Sequence, residues 1–197
     1  NDTAETYAKY PFHFKLLITY KIVDNHLKIT WKVDNTNNHK MYFSIGGHPA
    51  FLCPIQEGTK QTDYTLRFDT ADKIVSSMLG EGGLLTNEKK TYALNNGVLA
   101  VTKDLFDNDA LVIEGNQAHE VSLAYGEEKP YLTVRFEAPL FGIWSPPKKE
   151  APFICIEPWY GRCDRADYTG SLENREWGNV LEAGKSFEVS YEVTVGE

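Results

Sequence analysis

The chain of 197 residues is predicted to be all-β, an antiparallel β-sandwich in one domain over residues 1–197. Three observations carry that expectation. Apolar and polar residues alternate with a period of two in segment after segment, the segments are short and divided by polar turns, and no long stretch keeps helical periodicity. Only short helical turns, near 70–80 and 170–178, are expected.

The first element is a hairpin over residues 12–34. In "HLKITWKV" the residues Leu27, Ile29, Trp31 and Val33 alternate with His26, Lys28, Thr30 and Lys32, as in a strand with one buried face. The run before it, "FHFKLLITYKIV", is rich in strand formers, and Asp24-Asn25 between the two is turn chemistry. After the polar "DNTNNHK", a strand "MYFSI" ends in Gly46 and Gly47, so His48 stands where a strand opens into a loop. Paired glycines permit unusual backbone or close approach, and Pro49 restricts His48 to extended geometry; the imidazole is being aimed. Further strands fit 64–68, 97–101, 110–115, 120–125, 131–137, 153–157 and 186–195. The strand ending at Glu157 is expected to stop at Pro158.

Composition narrows the partners. A hydrophobic content of 42% can fill a core, while a net charge of −8 repels nucleic acid and anionic membrane surfaces. Cys53, Cys155 and Cys163 form neither a CxxC pair nor an even set, so free thiols, no zinc site and a reducing, cytoplasmic location are expected. No apolar run has the length of a membrane span, and "NDTAETYAKY" is neither a signal peptide nor a targeting helix. The sequon at Asn1 carries no weight.

Several residues could carry chemistry, each with a plainer alternative. His48 can move a proton near neutral pH, or be a turn histidine bonded to a carbonyl. Glu157, in "FICIEPWYG", ends a run apolar enough to bury it, which would raise its pKa and suit an acid or base; otherwise it escapes to water at a strand end. Trp144, Trp159 and Tyr160 could stack on sugar rings or belong to the core. Asp107 and Asp109 read as a solvated turn. His13, His26, His39 and His119 have no metal-site spacing, and neither a phosphate-binding glycine loop nor GxSxG is present.

Five segments in order, "MYFSIGGHPAF", "LFDNDALVI", "FGIWSPP", "ICIEPWYGRCD" and "VLEAGKSFEVSYEV", resemble the aldose 1-epimerase (galactose mutarotase-like) superfamily, most closely its LacX-like branch. The resemblance implies an antiparallel β-supersandwich with a sugar cleft on a concave face and a hexose or hexose phosphate as partner. It implies that His48 is the acid at the ring oxygen, Glu157 the base at the C1 hydroxyl, and Asp107 a holder of sugar hydroxyls. Neither metal nor other cofactor is expected. Family members are longer at the N-terminus, where they carry an arginine, a second histidine or asparagine, and the first strands; nothing before "YPFHF" stands for these. The domain is therefore expected to be N-terminally incomplete, with exposed sheet edges that invite self-association. Two other readings stay open: a non-catalytic sugar-binding protein, and a glycoside hydrolase or lyase using Glu157 with Asp164. A phosphorylated sugar would call on Arg162 and Arg165.

Overall fold

The computed structural model describes residues 1–149 and 151–196. A short helix, α1 (Ala4–Lys9), is followed by β1 (Phe14–Val23), β2 (His26–Asn35), β3 (Met41–Phe43), β4 (Ile45–Gly46) and β5 (Ala50–Leu52). Then come β6 (Tyr64–Phe68), β7 (Lys73–Leu79), β8 (Leu85–Ala93), β9 (Val98–Ala100), β10 (Leu111–Glu114) and β11 (Glu120–Tyr125). The last five are β12 (Leu132–Phe136), β13 (Leu140–Trp144), β14 (Phe153–Tyr160), β15 (Asn179–Leu181) and β16 (Ser186–Val195). One sheet runs β1-β2-β16-β12-β11-β6-β9; the other runs β4-β14-β13-β10-β7-β8, with β5 also on β14. A β15–β3 pair closes one corner, and no helix among the described residues is long and apolar enough to cross a membrane.

Alternation places the core. Ile29 and Trp31 on β2, Val121 and Leu123 on β11, and Val134 on β12 face Ile113, Phe141, Ile143, Ile154 and Ile156 of the second sheet, all buried in one cluster. Because side chains alternate across a strand, the opposite face of the second sheet carries Val112, Gly142, Trp144, Cys155, Glu157 and Trp159, with Gly142 directly opposite Glu157 and Trp144 opposite Cys155. The candidate site lies on that face.

Several expectations are corrected. Residues 73–79, expected as a helical turn, form β7, where pairing with β8 and β10 outweighs local preference; only Leu172–Asn174 is helical in the second predicted stretch. Helix α1 was not foreseen; Thr3 and Thr6 cap it reciprocally. The strand expected over 41–45 breaks into β3 and β4, and β14 continues through Pro158 to Tyr160. The Pro158 carbonyl accepts from the Gly47 N–H, on the side where β14 passes from β5 to β4. In an antiparallel strand a residue's N and O point the same way, so the missing N–H falls in the gap between two partners.

On β1 the register sets Leu16, Ile18, Tyr20 and Ile22 opposite Val33, Trp31, Ile29 and Leu27. They prolong the inner apolar face past the second sheet, and Tyr20 and Ile22 are 67% and 73% exposed.

The turn that leads toward His48 is held by one buried amide. Asn35 Nδ2 donates to the carbonyls of His39, Leu181 and Glu182 at 2.9, 2.8 and 3.1 Å, and its Oδ1 accepts from the Asn37 N–H. Asn35→Ala strands these groups and should lower unfolding stability by about 2–4 kcal/mol in urea titration.

Candidate active site

Strand β4 carries "IG" alongside the end of β14, with Gly46 opposite Trp159, and the chain turns at Gly47 to present His48. His48 Nδ1 stands 3.4 Å from Glu157 Oε1, the imidazole largely exposed and the carboxyl side chain only 4% exposed. The edge of the His48–Trp144 pair completes this corner, ring centroids 5.6 Å apart at 87°. Cys155 lies beside them, its sulfur within 4.8 Å of the ligand atoms of both His48 and Glu157.

The glycines act by close approach. Neither Gly46 nor Gly47 has a positive φ; instead a Cβ at 46 would stand 2.6 Å from Trp159 Cδ1, and one at 47 would stand 3.1 Å from Trp31 Cζ2. On the neighbouring strand a Cβ at Gly142 would collide with the six-membered ring of the same indole. Trp159 therefore lies down on the sheet between two positions cleared of side chains, next to Glu157.

The cleft over this surface has a volume of about 420 Å³, walled by Gly46, His48, Val112, Glu157, Trp159 and Arg162 among others. That falls in the range of about 300–1,000 Å³ usual for small-molecule sites. Burial drives the Glu157 carboxyl up to about 7; a hydrogen bond from the Trp159 side chain opposes this and the charge of Asp109 adds to it. Cys155, also buried and beside that carboxylate, is pushed up to about 12.

His48, Glu157, Trp144 and Trp159 thus meet, while two predicted residues lie elsewhere. Tyr160 points through the sheet to the core side, edge-on to Trp31 and Phe187 at 6.5 and 5.5 Å, because it falls at the opposite parity of β14 from Glu157. Asp107 is exposed in the turn before β10; the charge from that turn which reaches Glu157 is that of Asp109, held in a left-handed conformation with φ 70°. Asp164 is bound by Arg175 at 2.7 Å, and Arg162 is clamped by Glu114 and Glu176 with Arg165 also on Glu176. Neither the hydrolase pairing of Asp164 nor a free cationic pocket for phosphate finds support in these contacts. Gly142 carries no signal in the sequence, its place being set by the facing register of β13 and β14, whereas Cys155 shares the face of Glu157 by strand parity alone.

The family model for aldose 1-epimerase matches residues 1–194. Protein LacX of Lactococcus lactis subsp. lactis is 30% identical over 196 residues, which cover 98% of this chain and 65% of LacX. A galactose mutarotase related enzyme from Lactobacillus acidophilus superposes with a TM-score of 0.89 at 34% identity, over 100% of this chain and 66% of that one. A galactose mutarotase-like protein from Lactobacillus casei does so with a TM-score of 0.89 at 26% identity, over 99% and 67%. The chain spans just under two thirds of the length of LacX.

Two measurements check this geometry. Gly142→Ala should cost about 1–3 kcal/mol of stability by overpacking, and the cost should largely vanish in a Trp159→Ala background if the indole is what it strikes. The second concerns pH. With Glu157 at about 7 folded against an ordinary 4.5, the folded chain binds the extra proton between those values, so stability is retained below pH 4.5 and lost as pH rises through 7. Relative to wild type, Glu157→Gln should gain about 3 kcal/mol at pH 8 and little at pH 4, by urea titration at each pH.

Proposed function

The chain belongs to the aldose 1-epimerase family, in its LacX-like branch with a galactose mutarotase-like β-sandwich, and on that premise we propose that it interconverts the α and β anomers of a free hexose. The observation that carries this reading is the 3.4 Å meeting of His48 and Glu157, remote along the chain, at the mouth of a sugar-sized cleft. Anomer exchange needs a base at the C1 hydroxyl and an acid at the ring oxygen. Both oxygens are bonded to C1, so groups that serve them must be neighbours too.

In the forward direction Glu157 takes the O1 proton as His48, protonated, gives one to O5. The C1–O5 bond breaks, leaving the open-chain aldehyde. Rotation about C1–C2 turns the other carbonyl face toward O5; ring closure then reverses both proton transfers, with each group returned to its starting state. A carboxyl poised near 7 is suited to this, since it gives and takes a proton at little cost near neutral pH. Trp159, flat on the sheet beside Glu157, supplies an apolar floor for the C–H face of a sugar. Arg162 and Arg165 are already neutralised by carboxylates, which favours an unphosphorylated ring.

Polarimetry of freshly dissolved α-D-glucose and α-D-galactose tests the reading. The chain should accelerate mutarotation of at least one, Glu157→Gln should remove roughly 10²–10⁴-fold of the catalysed rate, and the rate should fall as pH drops below 7 and the base is protonated. Sugar binding without catalysis in wild type, with most of the affinity kept in Glu157→Gln, would mark a binding protein instead.

A further inference from the structure

We propose that His48, Cys155 and Glu157 together form a binding site for a thiophilic divalent cation, with zinc the best fit. One nitrogen, one sulfur and one oxygen ligand lie mutually within 4.8 Å. Four-coordinate zinc, with bonds of about 2.0–2.3 Å, holds its ligands about 3.3–3.7 Å apart; the His48–Glu157 pair, at 3.4 Å, already meets this, and the distances to the Cys155 sulfur must close by up to about 1 Å. Cys155 and Glu157 stand two residues apart on one face of β14, so rotation of the Cys155 side chain closes the gap to both partners, and His48, between β4 and β5 with an exposed ring, meets the sulfur from the loop side. The mixed donor set selects zinc, or cobalt as its surrogate, over magnesium and calcium, which prefer oxygen alone. His48 and Glu157 both wall the cleft, from which water can enter as a fourth ligand.

Spacing along the sequence could not reveal the site, because its ligands come from two remote segments. On binding, a metal–sulfur bond forms and the Cys155 thiol proton passes to solvent; Glu157 lends a carboxylate oxygen and His48 a ring nitrogen lone pair. No oxidant or reductant is involved. Metal binding rests on these three ligands alone. Its consequence rests on the reading above: an occupied site takes both the acid and the base, so metal and sugar turnover exclude one another.

Titration of the chain with Co²⁺ in sugar-free buffer tests the proposal. A thiolate-to-cobalt charge-transfer band should saturate at one equivalent and be displaced by Zn²⁺. Cys155→Ala should abolish the band, His48→Ala, at an exposed ring, should weaken binding roughly tenfold or more, and Cys163→Ala should leave it intact. Absence of the band in wild type, its survival in Cys155→Ala, or its loss in Cys163→Ala would overturn the assignment. Because no sugar is present, this result and mutarotase activity can fail independently.

Discussion

A carboxyl group held away from water on the face of a sheet is the constraint around which this molecule is arranged. Strand β14 turns Ile154 and Ile156 into the core and Glu157 to the other side, so the apolar packing of one face anchors the acid on the other. Trp159 hydrogen-bonds the buried acid from beside it, and can lie flat there because positions 46 and 142 carry no Cβ. One residue's chemistry thus dictates two glycines on two neighbouring strands.

Glu114, on the same sheet face, shows how differently such a group behaves with a cation. Burial pushes Glu114 up as well, but hydrogen bonds from Ser77 and Arg162 and the Arg162 charge outweigh it and hold the carboxyl below its ordinary range. Trp177 donates to the same carboxylate at 2.8 Å, and Glu176 takes the far side of the guanidinium. This lattice fastens the segment after β14 along the cleft wall. One sheet therefore presents an acid kept ionised for structure and another kept near neutrality, separated by whether an arginine stands against it.

The alternation of Leu27, Ile29, Trp31 and Val33, and of Phe187 through Val195, was legible because these strands have one wet and one dry face. Glu157 and His48 stood out for local reasons, a charge in an apolar run and a ring framed by glycines and proline. What depended on distant pairing stayed hidden. Residues 73–79 gain strand geometry from β8 and β10, Pro158 is tolerated only because two partners divide β14 between them, and Tyr160 fails as a site residue by a single step of parity. The resemblance singled out Asp107, yet the charge that reaches Glu157 is that of Asp109, a difference set by the geometry of one polar turn.

The uncovered inner face of β1 bears on the energetics of the whole chain. Side chains such as Tyr20 and Ile22 are already hydrated when folded, so denaturation wets little there, and both the heat-capacity increment and the denaturant dependence should fall short of what 197 residues would ordinarily give. The β1–β2 ladder then rests chiefly on its own amide bonds, making this ribbon the earliest unit to exchange its protons with solvent while the sandwich behind it stays closed.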